Sequence, residues 1–290
     1  MGRIGPLLTA FDSPHLSESN TGLGNVLFQI ASTYGISKAF KCEFNGRHLF
    51  EFTERLSQKF GFHHGETIFR NFLLHTTTNI DRVVHESPNH HKLFDVALLT
   101  RINDVRNLSL FIQGYMESHL YFDLYENEIR KMLSIDDVSK KYLQEKYPFL
   151  FDSNKLKIAI HIRTGNSIVE IDEAYYKRAI DMMLTKYPTA EFVLFTNDET
   201  NSTVSYIIST LPKVHCIRER EDYLEIWAFS LTDHAICCFS TFSWWGAYLI
   251  DSPTKTVIVP RSSVDYMIKT YNIDEKKVRT EYYYPQYNII

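Results

Sequence analysis

The chain is short of several things, and each shortage removes a class of function. Among its 290 residues it has four cysteines, Cys42, Cys216, Cys237 and Cys238. Their spacing fits neither a zinc site nor a disulfide framework, so Cys237 and Cys238, inside an apolar run, read as core thiols of a reducing compartment. Positive charge is not in excess: 31 Lys and Arg stand against 35 Asp and Glu, a net −4, so no nucleic-acid partner is expected. The longest apolar run, "AICCFSTFSWWGAYLI" (235–250), is broken by hydroxyl-bearing side chains, and no transmembrane segment is expected. The opening residues lack a signal-peptide apolar region, and Pro6 spoils a myristoylation pattern. The expectation is therefore a soluble, cytoplasmic protein. The histidines at 63, 64, 85, 90 and 91 lack the i, i+4 spacing of a helical metal site and read as surface.

What is present is a globular composition, 44% hydrophobic and 23% charged, and a pattern that sharpens along the chain. "GLGNVLFQIASTYGISKAF" (22–40) predicts a tight turn leading into a helix. Residues 41–110 give weak signals, and "LSLFIQGYMES" (108–118) is a strand candidate. Two helices follow, over "LYFDLYENEIRKML" and "IDDVSKKYLQEKYPFLFD". From Lys155 the order becomes regular: "LKIAIHI", "AEFVLFTND", "VHCIR", "HAICCF" and "KTVIVP" alternate with helical stretches. Strands separated by 10–15-residue crossovers predict a parallel sheet covered on both faces. The expected organisation is α/β with two domains, 1–154 and 155–290, the second Rossmann-like.

Open sheets of this kind bind ligands outside the carboxyl ends of their strands. The polar residues at those ends are Arg163, Thr164 and Asn166, then Thr196, Asn197 and Asp198, then Ser240, Thr241 and Ser243. An arginine fork, an Asn-Asp pair and hydroxyls opening a helix suit a phosphorylated ligand. The residues alone leave alternatives open: Arg163 also fits a strand-end salt bridge, His161 a core histidine, and Ser240 a plain helix cap. Trp244 and Trp245 read as core. "GLGN" (22–25) fails as a dinucleotide fingerprint because Leu27 stands where the third glycine belongs. It still brings Asn25 into a helix start that suits an anion. Glu225, inside "DYLEIWAFS", either faces solvent or matches the N1–H and N2–H₂ donors of a guanine.

Taken together, "TGLGNVLFQIAS", "IQGYMESHLYF", "IAIHIRTGN", "YYKRAI", "FVLFTND" and "STFSWWGAYL" resemble, in order, the motifs of the α-1,2-fucosyltransferases of glycosyltransferase family 11. The resemblance runs from residue 22 to about residue 260. It implies a GT-B-like fold, two Rossmann-like domains facing across a cleft, with an acceptor side in the first and the GDP-sugar in the second. It further implies GDP-fucose as donor, a glycan acceptor whose galactose 2-hydroxyl is fucosylated with inversion, and no required metal or cofactor. Residue by residue, it assigns Arg163 to the donor diphosphate and His161 to the neighbourhood of guanine and ribose. Glu225 stands where related enzymes have an Asp that reads guanine. Ser240 and Thr241 match the hydroxyl pair near the diphosphate, and Asn25 matches an asparagine reaching it from the first domain.

The match departs from the family at one place. The usual His-x-Arg-Arg-Gly-Asp reads here "HIRTGN", with Thr164 for the second arginine and Asn166 for the aspartate. One cation and one carboxylate are thereby missing. The following segment supplies Glu170 and Asp172 as candidate catalytic bases. Another GDP-deoxyhexose, another linkage, or a non-catalytic sugar-nucleotide or glycan-binding protein remain the alternatives.

Overall fold

The computed structural model describes residues 1–8, 22–73, 79–88, 90, 92–102, 105, 107–165 and 168–290. Asn166 and His91 lie outside them. Contacts divide the chain into two units: Met1–Asp136 with Asp274–Tyr284, and Asp137–Ile273 with Pro285–Ile290.

In unit 1, four short parallel strands, β1 (Arg3–Pro6), β2 (Glu43–Phe44), β3 (Arg82–His85) and β4 (Ser109–Gln113), lie in the order β2-β1-β4-β3. Helix α1 (Leu23–Ala39) connects β1 to β2. Its apolar residues Leu23, Val26, Leu27, Phe28, Ile30, Ala31 and Ile36 are buried, and so are Gln29, Ser32, Thr33 and Ser37. A helix buried nearly all round is a core element, and its polar groups need partners. Ser32 donates to the Met116 carbonyl (2.8 Å) and Ser37 to that of Tyr34 (2.7 Å). Helices α2 (Arg47–Phe60), α3 (Val96–Arg101) and α4 (Glu126–Met132) complete the unit.

Unit 2 opens with α5 (Asp137–Lys146) and continues as an alternation of strands and helices. Its strands are β5 (Lys157–Ile162), β6 (Glu191–Thr196), β7 (Val214–Cys216), β8 (His234–Ile236), β9 (Val257–Val259) and β10 (Asn288–Ile289). The helices between them are α6 (Glu173–Lys186), α7 (Ser202–Thr210), α8 (Asp222–Ser230), α9 (Thr241–Leu249) and α10 (Arg261–Tyr271). All strand pairs are parallel, in the order β10-β9-β8-β5-β6-β7. That is the 3-2-1-4-5-6 order of the doubly wound dinucleotide-binding fold, whose strand sequence reverses between its first and fourth strands, here β5 and β8.

The residue pattern explains the layering. Every residue of β5 is buried, as a strand covered on both faces requires. On one face Ile158, Ile160 and Ile162 pack with Phe192, Leu194, Ile236 and Ile258 beneath Tyr175, Tyr176, Ala179 and Met183 of α6 and Val204 and Ile207 of α7. Toward the other face lie α8 and α9: Phe229 of α8 meets Phe195 of β6 at 4.9 Å, and Phe242 of α9 meets His161 at 5.0 Å. Trp244 and Trp245 are core, as their sequence context suggests. Helix starts are capped locally, α6 by Asp172, α7 by Asn201 and α9 by Ser240.

Two expectations are corrected. The first division falls at 136/137 rather than 154/155, because α5 packs on α8. Tyr142 and Lys146 bind the Glu219 carboxylate (3.0 and 2.8 Å), and the Tyr147 hydroxyl bonds the Arg218 backbone. Segment 274–284 then returns to unit 1, where the Glu281 carboxylate accepts from the Phe94 N–H and its carbonyl from the Ser118 hydroxyl. His64, expected on the surface, is buried between Phe62 and Phe69.

Candidate functional site

The carboxyl ends of β5 and β8 converge at the switch point of the unit 2 sheet. β5 delivers His161 and then Arg163, Thr164 and Gly165; β8 delivers Cys237, Cys238 and Phe239, after which Ser240 caps α9. The two exits touch: the Cys238 sulfur lies 3.3 Å from His161 Nδ1. Gly165 has φ +79°, a left-handed turn that a side chain would strain, and it bends the chain away directly after Arg163 and Thr164.

Arg163 is exposed and makes no ion pair among the described residues. A guanidinium cannot shed its charge, so it stands ready for an external anion. His161 beside it is buried, and burial, reinforced by the Arg163 charge, pushes its pKa down to about 3. The imidazole is therefore neutral at working pH, and the positive field at this exit comes from Arg163. Burial pushes the Cys238 thiol up to about 12, so it stays protonated against the ring. Phe242 closes over the same ring. The His161 carbonyl accepts from the buried Tyr176 hydroxyl at 3.1 Å, fixing the end of β5 to α6.

At the start of α9 the Ser240 hydroxyl accepts from the Phe242 N–H (3.3 Å) and Thr241 opens the helix. The positive end of the α9 dipole therefore lies at the exit of β8, the strand paired with β5, whose exit carries Arg163. Ser243, expected in this group, is fully buried. Its hydroxyl lies 3.1 Å from the carbonyls of both Cys238 and Ser240 and shapes the loop from within.

Asn197 and Asp198, expected as ligand contacts after β6, are occupied with the loops. The Asn197 amide pairs with the Thr164 backbone, its oxygen accepting from the N–H (3.0 Å) and its nitrogen donating to the carbonyl (3.1 Å). Asp198 accepts from the Thr200 N–H and hydroxyl (2.9 and 2.6 Å). Those bonds, led by the Thr200 hydroxyl, hold its pKa below the usual carboxylate value. The sequence signals polarity at this strand end but not that the polar groups face a neighbouring loop. The consequence is useful: the residue following Arg163 is fixed by two hydrogen bonds from the residue that follows β6.

Glu225 is half-buried on α8 and accepts from the Glu219 N–H at 3.1 Å. Burial, with the nearby charges of Asp222 and Glu219, raises its pKa to about 7. Such a carboxylate is costly while ionised and unliganded, and a donor-rich ligand edge would relieve that cost.

The two base candidates separate. Asp172 caps α6, accepting from the Tyr175 N–H at 2.7 Å, so its carboxylate is engaged in helix structure. Glu170 is exposed on the loop between β5 and α6. Asn25 belongs to unit 1, half-buried in the first turn of α1, whose cap Gly22 offers no side-chain acceptor. Nearby in that unit the exit of β4 is held by the buried Glu86 carboxylate, which accepts from the Tyr115 and Met116 N–H groups (2.9 and 3.1 Å). Sequence reasoning missed this carboxylate, as it missed Cys238 and Phe242 around His161. Among the described residues no group of three or more His, Cys, Asp or Glu is placed to hold a metal ion, and no helix is long and apolar enough to cross a membrane.

The sequence matches no family model. It is 21% identical over 282 residues to the α-1,2-colitosyltransferase of Escherichia coli, covering 82% of this chain and 88% of that protein. Among solved structures, the Bradyrhizobium fucosyltransferase NodZ superposes with a TM-score of 0.49 at 11% identity, covering 84% of this chain and 91% of that one. Arabidopsis thaliana FUT1 in complex with GDP gives 0.48 at 11% identity, covering 88% and 70%. These superpositions are loose, and the fold rests on this chain's own strand order.

Proposed function

We propose that this chain transfers a 6-deoxyhexose from a GDP-activated donor to a hydroxyl of a glycan, with inversion at the anomeric carbon. The observation that carries the reading is Arg163: an exposed guanidinium without an ion-pair partner among the described residues, at the switch point of a doubly wound sheet. The strand that follows across that switch point, β8, leads into the N-terminus of α9. In the proposed complex Arg163 and the first turn of α9 hold the diphosphate, His161 stays neutral beside it, and Glu225 accepts from guanine.

Inverting transfer passes through an oxocarbenium-like centre while a diphosphate departs with growing negative charge. A fixed guanidinium and a helix start stabilise that charge without reorganising, each worth roughly 3 kcal/mol or two decades in rate. This reading requires no metal, so turnover is expected to survive a chelator. Glu170 is the candidate base, because Asp172 is engaged as a cap.

L-fucose attached in α-1,2 linkage to galactose is the specific assignment, supported by the motif resemblance. The E. coli relative's name favours a second donor, GDP-colitose, which lacks the 3-hydroxyl of GDP-fucose. Release of GDP from each donor, with a galactose-terminated acceptor, tests both. Arg163→Ala is expected to reduce turnover by at least about a hundredfold. Undiminished activity in that variant removes Arg163 from the site, and binding of GDP-sugars without any turnover replaces the enzyme with a binding protein.

A further inference from the structure

Unit 1 contains a cavity of about 720 Å³, within the range of small-molecule sites, roughly 300–1,000 Å³. It lies away from the strand exits. Its walls are the second half of α1 (Tyr34, Lys38), the approach to β2 with β2 itself (Cys42 to Phe44), the turn at Arg70 and Asn71, and the end of α4. α1 starts after β1 and runs back along the sheet, and Glu43 of β2 pairs in register with Arg3, the first residue of β1. The cavity therefore sits toward the amino-terminal edge of the sheet, opposite the edge where ligands of parallel sheets ordinarily bind.

We propose that this cavity binds a neutral saccharide. The first reason is an aromatic wall. Tyr34, Phe44 and Phe72 meet one another at 5.8–6.0 Å between ring centres, and Tyr34 and Phe44 line the cavity. Such rings offer apolar faces to the C–H side of a sugar. The second reason is the mixture of polar groups around that wall. An anion is met by donors alone and a cation by acceptors alone, whereas a sugar hydroxyl donates and accepts at once. Here the carboxylates of Glu43 and Glu128 share the wall with Lys38, Arg70, Lys131 and Asn71, so acceptors and donors are both present.

Both carboxylates are already paired, Glu128 with Lys38 (3.0 Å) and Glu43 with Arg3 (3.1 Å). The third reason is preorganisation. Glu128 also accepts from the Tyr34 hydroxyl at 2.7 Å, Arg70 donates to the Thr67 and Ser134 carbonyls (2.7 and 2.8 Å), and Asn71 donates to the Met132 carbonyl at 2.8 Å. Side chains fixed before a ligand arrives lose little entropy when it binds.

Cys42 lines the cavity and is half-buried, so it reports occupancy. In the full chain carrying Cys216→Ser, with Cys237 and Cys238 buried, alkylation by iodoacetamide is followed with lactose, N-acetyllactosamine, inorganic phosphate or GDP present. The saccharides are chosen from the proposed function; the cavity argument otherwise stands apart from it. Protection by the saccharides is expected to reach about tenfold near ten times Kd, with none from phosphate or GDP.

Tyr34→Ala and the conservative Glu128→Gln, each checked for an unchanged melting temperature, are both expected to remove most of the protection. Alkylation unaffected by both saccharides across the millimolar range overturns the proposal. So does protection that survives in Glu128→Gln and Tyr34→Ala alike, or protection by phosphate instead of sugar. GDP binding, measured by calorimetry on the same samples, keeps the two readings apart: Arg163→Ala should lose GDP while retaining saccharide protection.

Discussion

Glu225 makes the donor-binding proposal testable through pH alone. Its carboxyl has a pKa of about 7 when the site is empty, and guanine can use it as a two-oxygen acceptor only when it is ionised. Binding then releases a proton below pH 7, and the observed Kd scales as 1 + 10^(7−pH). Affinity for GDP-fucose should thus be about tenfold weaker at pH 6 than at its plateau, and nearly constant above pH 8. A GDP-sugar is the right ligand because its diphosphate is a diester without an ionisation of its own in this range. Titration calorimetry in buffers of differing ionisation enthalpy counts the released proton directly.

Glu225→Gln should flatten the profile and weaken the plateau by about 1.5–3 kcal/mol, the worth of a charge-assisted hydrogen bond. Without ligand the same group acts on stability with the opposite slope. The folded carboxyl holds a proton between pH 4.5 and about 7 that the unfolded chain has lost, so stability falls as pH rises through that window. Between pH 5 and pH 8 the loss is about 2.5 kcal/mol. His161 runs the other way, since its folded pKa of about 3 costs stability as pH drops below 6.5. The difference between wild type and Glu225→Gln isolates the first effect. An identical pH slope of donor affinity in both proteins, or tighter binding at pH 6, refutes the role of Glu225.

Three further outcomes follow from the packing. Asn197→Ala removes both hydrogen bonds to the Thr164 backbone; the donor KM should rise by about tenfold, roughly 1.4 kcal/mol, while kcat and the melting temperature change little. Lys255→Met removes an ammonium that donates to the Ala247, Tyr248 and Ile250 carbonyls at 2.8–3.0 Å at the end of α9. Chemical denaturation should register a loss of about 1.5–3 kcal/mol. In Gly246→Ala the new methyl would meet the Phe229 ring at 2.5–2.9 Å, and a loss of about 1–3 kcal/mol is expected from separating α8 and α9.

How legible the molecule is from its sequence differs between the units. β5 through β9 read directly because apolar runs alternate with helical stretches, three of which start at a side-chain cap, Asp172, Asn201 and Ser240. Unit 1 offers no such contrast: β1 is the four residues RIGP and β2 the two residues EF, too short for a period of two to emerge. Helix α2 carries a helical signal in Leu49, Phe52, Leu56 and Phe60, diluted by charged neighbours. At the candidate site, the position of Arg163 at the end of a buried strand was legible from the apolar run that precedes it, and the structure shows it exposed there. The roles of Asn197, Asp172 and Ser243 were not legible, because a polar side chain at a strand exit serves a ligand or a loop equally well, and only coordinates distinguish the two.

The return of segment 274–284 to unit 1, and of 285–290 to the sheet of unit 2, has a consequence for how the chain reaches its native state. Neither unit is an uninterrupted stretch of sequence. The bond from the Phe94 N–H to Glu281 spans 187 residues, and β10 reaches the edge of its sheet only after that excursion. In a flexible chain so long a loop is slow and entropically costly to close. Folding of 137–273 removes those residues from the flexible part of the loop, so less chain remains to be closed. Completion of unit 1 is therefore subordinate to unit 2. A substitution that destabilises the sheet of unit 2 should loosen unit 1 as well, although the substituted residue belongs entirely to the second.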